Sequence, residues 1–397
     1  MSFPGDVVIM GGCGHVGLPL GLAFADSGMR VELFDTNEDV VQMVNDSRMP
    51  FRERGADEVL ARVRKTGALS ATTEAASLER AENVIVVVGT PVDRYLSPDI
   101  EAVPRALGEV IERLTDGQLL VLRSTVYPGV TALVEKLVGA SSRAIDVCFC
   151  PERIAEGAAL DELRQLPQIV AARDARVMAR AATLFCRLTE HVVELTPEEA
   201  ELAKLFTNSW RYIKFAAANQ LFMIANDSGL DFERIREAVT HLYPRAADMP
   251  GPGFAAGPCL FKDTVQIAAF SENMFTLGHA SVMINEGLPL YVVNRLAQRF
   301  DLSEMTVGVL GMAFKGGSDD TRSSLSYKLK RLLKLRAHTV LCTDPYVTTD
   351  RELTPLDDVL ARAGLLIIAA PHSDYTTLRT NTPVVDLFNI LGRGVAI

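Results

Sequence analysis

A cysteine lies between glycine-containing backbone and a charged pair in residues 253–263, which read GFAAGPCLFKD. A cysteine that only fills a core normally lies inside an apolar run, without glycine before it or charges after it. A nucleophilic cysteine needs close access for its substrate and polar neighbours that favour the thiolate. Gly257 precedes Cys259 by two residues, and Lys262 and Asp263 follow it. The segment therefore predicts a reactive thiol whose partners must come from elsewhere in the chain.

A glycine-rich loop in residues 11–17, GGCGHVG, predicts a site for the pyrophosphate of a dinucleotide. It follows the apolar run DVVIM and opens the amphipathic helical pattern GLPLGLAFADSG, with Gly12, Gly14 and Gly17 spaced as G-x-G-x-x-G. The glycines allow a tight turn and bring phosphate to the helix N-terminus, where unpaired N–H groups attract it. Asp35 closes the next strand, RVELFD, at the offset typical of the acid that binds the ribose. Because that acid would repel a 2′-phosphate, the pattern favours NAD over NADP.

Polar residues that could serve the thiol lie at strand ends and on one predicted helix. Thr125 lies in STVYPG, and Glu152 and Glu156 lie in CPERIAEGAAL, each after an apolar strand, where α/β folds gather ligand-binding groups. Lys204 and Asn208 are four residues apart in a helical region and therefore share one face. Each also has a plainer interpretation, because a lysine can extend its charged end to water and the others can cap helices or line solvated loops. The spacing leaves both interpretations open.

The composition is that of a globular protein and excludes several functions. Of 397 residues, 48% are hydrophobic and 23% are charged, which is ordinary for an enzyme with two or three domains. A net charge of −10 argues against nucleic acid or an anionic membrane as the main partner. Six scattered cysteines without a CxxC pair favour free thiols in a reducing cytoplasm, and we predict no metal site. With no apolar run near the ~20 residues that span a bilayer and no signal peptide evident, we expect a cytoplasmic protein.

The order of predicted elements indicates an α/β fold in which two Rossmann-like parallel-sheet domains are joined by a long-helix, all-α connector. Apolar strands spaced by helices fill residues 1–195, the predicted NAD-binding domain. Residues 196–300 form the predicted connector. Its helical pattern starts at Pro197 and continues with acidic residues, as helices often do. A second α/β unit follows in residues 301–397. Because a long apolar helix between two sheet domains usually packs against its own copy, we expect a homodimer through the central helix.

Seven motifs in a fixed order resemble the UDP-glucose/GDP-mannose dehydrogenase family along the whole chain: G-x-G-x-x-G, VGTP, STVYPG, PERIAEGAA, AKLFTNS, GPCLFKD and GMAFKGGSDDTRSS. The resemblance implies that two NAD oxidise the C6 hydroxymethyl of a nucleotide sugar to a carboxylate, and that residues 301–397 bind the sugar nucleotide. A thiolate suits this chemistry because it adds to the intermediate aldehyde as a thiohemiacetal. A second hydride transfer then gives a thioester that water hydrolyses.

The resemblance implies roles for individual positions, some of which have more than one. The residues implied in catalysis are Cys259 as the nucleophile, Lys204 and Asn208 as oxyanion stabilisers, Asp263 as the acid beside the thiol, Thr125, and Glu152 as a candidate to activate water. The positions implied to bind the cofactor are Gly12, Gly14, Val16, Gly17, Asp35, Thr90, Thr125, Glu156, Lys262 and Arg322. The positions implied to bind the substrate are Glu152, Arg153, Glu156, Lys204, Asn208, Phe254, Gly257, Phe314, Lys315 and, reaching the neighbouring subunit's substrate, Arg245.

Departures from the family pattern leave the identity of the sugar open. Ala256 stands where the family usually has a glycine, and Val40 stands where some members have a cofactor-binding lysine. Glu156 and the Lys262-Asp263 pair resemble glucose-type members, whereas PERI and YPRAADMPGPG resemble members that oxidise N-acetylhexosamine nucleotides. These signals favour UDP-glucose or dTDP-glucose as the substrate, with a UDP-N-acetylhexosamine (ManNAc or GlcNAc) as the alternative.

Two other classes of protein share parts of this plan. A two-electron hydroxy-acid dehydrogenase uses a helical lysine and asparagine but needs neither Cys259 nor a second sheet domain. A non-catalytic binding protein could keep both nucleotide sites, although every expected catalytic residue type is present here. The number of NADH formed per substrate distinguishes the three classes.

Overall fold

The computed structural model describes residues 3–93, 95 and 97–397. The chain divides between Phe206 and Thr207 into two compact parts, which we call the first unit and the second unit. Each unit is built on one sheet, and a long helix crosses the division. Within the described residues, no helix is both long and apolar enough to cross a membrane.

The first unit is built on an eight-stranded sheet. Its strands are β1 (Gly5–Met10), β2 (Val31–Phe34), β3 (Leu69–Thr72), β4 (Ala81–Val86), β5 (Leu119–Leu122), β6 (Asp146–Phe149), β7 (Gln168–Ala171) and β8 (Val192–Leu195). They lie in the order β3-β2-β1-β4-β5-β6-β7-β8, and neighbours are parallel except β6 and β7. Helices cover both faces, so β5 is buried at all four positions and its sequence is a continuous apolar run. The strand order reverses beside β1, which creates the crevice where such folds bind dinucleotides.

The helices of the first unit lie between these strands. They are α1 (Gly17–Asp26), α2 (Glu38–Asn45), α3 (Ala56–Thr66), α4 (Ala102–Gly108), α5 (Val130–Ala140), α6 (Ala159–Gln165) and α7 (Ala175–Phe185). The prediction that α1 is amphipathic is wrong, because every residue from Gly17 to Ala25 is buried. The reason is that α3 and α6 both pack against α1, so the face turned away from the sheet is covered as well.

The long helix α8 (Pro197–Asp227) confirms the helical region predicted from Pro197 onward. Its start has the form of a capping box, because Thr196 Oγ1 accepts the N–H of Glu199 and the Glu199 carboxylate accepts the N–H of Thr196. Pro197 suits the first helical position, where its missing N–H would have had no partner in the helix. Two acidic residues in the first turn also favour the positive end of the helix dipole.

The second unit combines helices with a smaller sheet. Its helices after α8 are α9 (Phe232–Thr240), α10 (Leu260–Phe270), α11 (Thr276–Arg299), α12 (Leu325–Lys334) and α13 (Leu356–Arg362). Its strands are β9 (Thr306–Leu310), β10 (Thr339–Thr343), β11 (Leu365–Ile368) and β12 (Val384–Asp386). The four strands are parallel in the order β10-β9-β11-β12. The predicted fold class, two Rossmann-like parallel sheets with a long-helix connector, is confirmed.

Candidate active site

Three glycines of the loop after β1 lie where a side chain would meet the backbone of a neighbouring segment. Gly11 has a φ of +76°, and a Cβ on it would lie 2.0 Å from the carbonyl oxygen of Val87. A Cβ on Gly12 would lie 2.7 Å from the Ile9 carbonyl oxygen. A Cβ on Gly17 would lie 2.5 Å from the Gly11 carbonyl oxygen. Gly11 precedes the G-x-G-x-x-G motif and was not among the predicted site residues. Because it has no side chain, β1 and the loop after β4 can approach each other.

Gly14 differs from the other loop glycines, because a Cβ on it would come no nearer to protein than 4.0 Å, from the Gly11 carbonyl oxygen. The absence of a side chain therefore keeps space open above the loop rather than relieving a clash. Val16 precedes α1 and has no side-chain oxygen that could cap the first turn. Open space beside a helix N-terminus suits a pyrophosphate, so the residues present fit a dinucleotide.

Asp35 lies at the end of β2 and fastens this loop. Its Oδ2 accepts the N–H of Cys13 at 3.0 Å, and its Oδ1 accepts the N–H of Asn37 at 3.1 Å. Burial and the neighbouring Asp35 carboxylate raise the pKa of the Cys13 thiol to about 12, so this cysteine remains a thiol at neutral pH. Asp35 thus lies where a carboxylate can accept hydrogen bonds from a ribose, beside the loop that would hold the pyrophosphate.

The carboxyl ends of β4 and β5 form the other side of this crevice. Thr90 Oγ1 donates to the carbonyl oxygen of Thr125 at 2.6 Å. Ser124 Oγ accepts the N–H of Val88 at 2.8 Å, which joins the same two strand ends. The structure therefore brings together Thr90 and Thr125, two residues predicted to contact the cofactor, across 35 residues of sequence.

Glu152, after β6, is held by a buried arginine that the sequence analysis missed. Arg123 follows β5 directly and donates its Nε–H to Glu152 Oε2 at 2.9 Å, with a second hydrogen bond from Nη2 to the same oxygen. The other carboxylate oxygen accepts the backbone N–H groups of Arg153 at 2.6 Å and Ile154 at 2.9 Å. The Arg123 side chain is completely enclosed and that of Glu152 is 10% exposed. The pair fixes the segment that begins at Glu152.

The same segment contacts the glycine loop through Glu156. The Glu156 carboxylate lies 4.0 Å from His15 Nδ1, and the His15 ring stacks on Phe51 with centroids 4.0 Å apart. This proximity places Glu156 at the predicted cofactor site. Arg153 instead donates to the carbonyl of Pro167, and burial lowers the pKa of its guanidinium.

Another missed residue, Glu201, ties α8 to the loop that carries Thr125. Its Oε2 accepts the N–H of Gly129 at 2.6 Å, and its Oε1 accepts the N–H and the hydroxyl of Thr131 at 2.8 and 2.6 Å. The carboxylate therefore caps the N-terminus of α5. Lys204 lies one turn further along α8 and is 6% exposed, so the plainer interpretation of a lysine reaching out to water does not hold.

The predicted nucleophile Cys259 is exposed and directly precedes α10 in the second unit. Its position is the N-cap, where the first-turn N–H groups and the helix dipole favour negative charge. One turn later, Asp263 is completely buried, and its Oδ2 accepts a hydrogen bond from Asn208 Nδ2 at 2.5 Å. Asp263 Oδ1 lies 3.6 Å from Lys262 Nζ. The structure thus joins the predicted amide donor to the predicted acid beside the thiol.

The backbone before Cys259 is confined by an aromatic ring from the loop after β9. Gly257 has a φ of +104°, and a Cβ on it would lie 2.6 Å from the ring of Phe314. Its N–H points to the carbonyl oxygen of Ser323 at 3.4 Å, and Ser323 has a left-handed φ of +53°. Phe254 is 7% exposed, and its ring meets that of Phe388 edge-on with centroids 6.4 Å apart. Two of the predicted substrate residues, Gly257 and Phe314, are therefore in contact, whereas Phe254 packs into the core.

The loop that carries Phe314 and Lys315 is fastened by a buried Asp–His pair that sequence reasoning missed. Asp344 follows β10, and its Oδ2 accepts the N–H groups of Met312 at 2.6 Å and Ala313 at 3.0 Å. The same oxygen lies 3.0 Å from His372 Nε2. The signal was present in the sequence, because Asp344 closes the second strand of its sheet as Asp35 does in the first unit.

The remaining predicted residues of the second unit have local partners. Arg322 binds Asp320 through Nε at 2.8 Å and Nη2 at 2.6 Å. Arg245 is exposed, donates to the hydroxyl of Tyr243 at 2.8 Å, and has its guanidinium 4.6 Å from the centre of that ring. Both arginines are exposed, and the guanidinium of each is oriented by a neighbour two residues away.

Three family models match the chain in order. They are the NAD-binding, central and UDP-binding domains of the UDP-glucose/GDP-mannose dehydrogenase family, over residues 6–189, 198–286 and 308–393. The match to the NAD-binding domain covers the glycine loop, Asp35 and the segment of Glu152 and Glu156, so the dinucleotide that these residues fit is NAD.

Known proteins of two substrate classes are similar to the chain over nearly its whole length. A UDP-N-acetyl-D-mannosamine dehydrogenase of Pyrococcus horikoshii is 30% identical, covering 92% of this chain and 90% of the relative. A UDP-glucose 6-dehydrogenase of Haloferax volcanii is 31% identical, covering 92% and 91%. The solved structure of a UDP-glucose dehydrogenase from Pyrobaculum islandicum superposes with a TM-score of 0.89 at 29% identity, covering 97% and 94%. Several further relatives are also named UDP-N-acetyl-D-mannosamine dehydrogenase. By fold, site residues and these matches, the chain belongs to the UDP-glucose/GDP-mannose dehydrogenase family.

Proposed function

We propose that this chain oxidises the C6 hydroxymethyl of a UDP-N-acetylhexosamine to the uronic acid, removing four electrons with NAD as oxidant. The observation that carries the chemistry is an exposed Cys259 at the N-terminus of α10, one turn before an Asp263 that Asn208 holds. The recurrence of UDP-N-acetyl-D-mannosamine dehydrogenases among the relatives supports the N-acetylated sugar over the glucose that the sequence motifs favoured.

The first unit has the residues that would hold the cofactor. The pyrophosphate would lie over Gly14 at the start of α1, with Asp35 accepting hydrogen bonds from the ribose and Thr90 and Glu156 lining the crevice. When bound there, NAD would supply the hydride acceptor at each of the two oxidation stages.

Cys259 makes the second oxidation possible. Loss of a hydride from C6 and of the hydroxyl proton converts the alcohol to an aldehyde. The thiolate then adds to the aldehyde carbon, and protonation of the oxygen gives a thiohemiacetal tethered to the enzyme. Loss of the second hydride and of the hydroxyl proton gives a thioester. Water adds to its carbonyl carbon, the C–S bond breaks, and the carboxylate leaves as the thiolate is restored.

Buried donors would stabilise the oxyanions of this path. Lys204 is nearly enclosed, and Asn208 gives one amide N–H to Asp263, which fixes the direction of the other. Removing one such donor typically costs about 2.7–4 kcal/mol of transition-state stabilisation. Lys204→Ala is therefore expected to lower kcat far more than it weakens NAD binding. If kcat and the affinity for NAD fell by the same factor, Lys204 would instead have a role in folding. Thr125 and Glu152 are the candidates for directing the water, with Arg123 holding the Glu152 carboxylate in place.

The exposed apolar side chains of α8 support a homodimer. Phe206, Trp210, Leu221 and Ile224 are each at least 42% exposed and share one stripe of the helix. A second copy of the chain would cover this stripe. Sedimentation velocity tests this, with Ile224→Glu expected to shift the dimer to monomer and Leu335→Glu, an exposed leucine after α12, expected to leave it unchanged.

The experiment that tests the function is a panel of UDP-N-acetylmannosamine, UDP-N-acetylglucosamine, UDP-glucose and dTDP-glucose, scored for NADH and uronate. We expect two NADH per uronate and the highest kcat/KM with an N-acetylated sugar. UDP-glucose is the second candidate, because relatives of that name are equally similar in sequence and fold. One NADH per substrate would overturn the four-electron assignment, and preference for a glucose nucleotide would reverse the choice of sugar.

A further inference from the structure

Asn219 of α8 binds the backbone of the cysteine segment, which we define as residues 253–259. Its side chain is completely buried. Its Oδ1 accepts the N–H of Gly253 at 2.9 Å, and its Nδ2 donates to the carbonyl oxygen of the same residue at 3.0 Å. One side-chain amide thus exchanges both hydrogen bonds with one backbone residue, as paired residues do in antiparallel strands.

The orientation of this amide is fixed by a second asparagine. Asn219 Nδ2 also donates to Asn285 Oδ1 at 2.9 Å, and Asn285 Nδ2 donates to the carbonyl oxygen of Tyr212 at 3.1 Å. Asn285, on α11, is also completely buried. Both N–H groups of Asn219 have acceptors, and its Oδ1 has a donor. A flipped amide would therefore place donor against donor and acceptor against acceptor, and it would lose the bonds to Gly253.

Gly253 can occupy this position only as glycine. Its φ is +144°, and a Cβ on it would lie 2.3 Å from the ring of Phe388. At the other end of the segment, the ring of Phe314 confines Gly257 in the same way. The segment therefore lies between two aromatic rings, with Asn219 setting its position along α8.

Asn219 and Asn208 act on both sides of the thiol from one helix. They are eleven residues apart, which is three helical turns, so they share a face. Asn219 holds the chain six residues before Cys259, and Asn208 holds Asp263 four residues after it. These two contacts together determine where the thiol lies along the length of α8.

We propose that Asn219 is a positioning residue for Cys259, an inference that rests on the proposed function for its catalytic consequence. The sulfur forms its bond to carbon only in the second half of the reaction. Loss of the Asn219 contact therefore slows formation and hydrolysis of the thioester more than the first hydride transfer, because a covalent step tolerates little misplacement.

The test compares Asn219→Ala with Asn226→Ala, a matched control. Asn226 is a buried asparagine two turns further along α8 that donates to Tyr291 Oη and accepts the N–H of Ile397, and neither partner belongs to the cysteine segment. Alkylation of Cys259 by iodoacetamide is followed by peptide mass spectrometry, with the other exposed cysteine, Cys186, as the reference in the same molecule. We expect the ratio of Cys259 to Cys186 alkylation to fall about fivefold or more in Asn219→Ala, as the thiol leaves the helix N-terminus. It should stay at the wild-type value in Asn226→Ala.

Turnover supplies the second readout. In Asn219→Ala we expect uronate formation to fall about 10- to 100-fold while the first NADH forms at a less affected rate. Asn285→Ala keeps both bonds between Asn219 and Gly253 but removes the contact that orients the Asn219 amide. It should show a smaller change in the same direction. This variant tests the proposal if Asn219→Ala does not fold. An unchanged alkylation ratio in folded Asn219→Ala or Asn285→Ala, or an equal fall in Asn226→Ala, overturns the proposal. One NADH per sugar in the wild type would instead reject the proposed function, while the alkylation ratio still decides the role of Asn219.

Discussion

Arg123 and Glu152 form an ion pair between the ends of β5 and β6, with Arg123 Nε 2.9 Å from Glu152 Oε2 and the arginine side chain wholly enclosed. The guanidinium also donates to the Cys150 carbonyl at 3.0 Å and to Gln168 Oε1 at 3.1 Å. Because the Arg123 guanidinium holds one carboxylate oxygen of Glu152 from two nitrogens, the position of this candidate catalytic residue depends on the stability of the pair.

We expect Arg123→Met to lower the free energy of unfolding by about 3–5 kcal/mol, because it leaves a buried carboxylate without its cation. Urea denaturation measures the loss. The control is Arg113→Met, which breaks an exposed pair with Glu79 at 2.9 Å and should cost about 1 kcal/mol or less. Equal losses in the two variants would show that the enclosed pair has no special weight.

Cys259→Ser is expected to lower the rate of uronate formation by about 10³-fold or more, because a hydroxyl cannot replace the thiolate as nucleophile and leaving group. Binding of NAD and of UDP, measured by calorimetry, should be unchanged. Cys186→Ser alters the other exposed cysteine and should keep wild-type turnover. Near-normal uronate production by Cys259→Ser would reject the nucleophile.

Gly14→Val and Gly12→Ala should separate cofactor binding from folding. A side chain at position 14 enters the open space above the loop, so we expect Gly14→Val to raise the Kd for NAD about tenfold or more with little change in stability. A Cβ at position 12 meets backbone at 2.7 Å, so Gly12→Ala should lower the free energy of unfolding by about 1–3 kcal/mol. If Gly14→Val bound NAD as the wild type does, the pyrophosphate would not lie over Gly14.

The Asp344–His372 pair predicts a measurable dependence of stability on pH. Burial opposes ionisation of Asp344, but the hydrogen bond from His372 and the N–H groups of Ala313 and Tyr346 outweigh it and lower the pKa to about 2. A carboxyl with a lowered pKa stabilises the fold above its usual value of 3.8 and loses that contribution as the pH falls through about 2. Two pKa units correspond to roughly 2–3 kcal/mol.

Asp344→Asn should therefore be less stable than the wild type at pH 7, and the difference should narrow between pH 4 and pH 2. Denaturation followed by circular dichroism at a series of pH values measures it. Asp358→Asn, an exposed acid in the first turn of α13, should stay within about 1 kcal/mol of the wild type at every pH. A difference between Asp344→Asn and wild type that does not vary with pH would mean that the carboxylate charge is not what fastens the loop.

The residues that sequence reasoning missed have partners far along the chain. Arg123 meets Glu152 across 29 residues, Glu201 meets Thr131 across 70, and Asn219 meets Gly253 across 34. A sequence motif describes residues at a short, fixed spacing, and the two residues of each of these pairs are too far apart along the chain for a motif to include both. Arg123 did leave a local signal, because an arginine that ends the buried run LLVLRS has to be paired.

By itself, the sequence determined the parallel sheets, the long helix, the dinucleotide loop and the exposed thiol. Each of these follows from local physics: the period of apolar residues, the conformations that glycine allows, and the charges beside a cysteine. Only the tertiary structure decided that α1 is buried on all sides, that Glu152 is held by Arg123, and that Asn219 fixes the cysteine segment. Burial and hydrogen bonding in a core depend on which elements meet, and that is a property of the folded chain rather than of any short stretch of it.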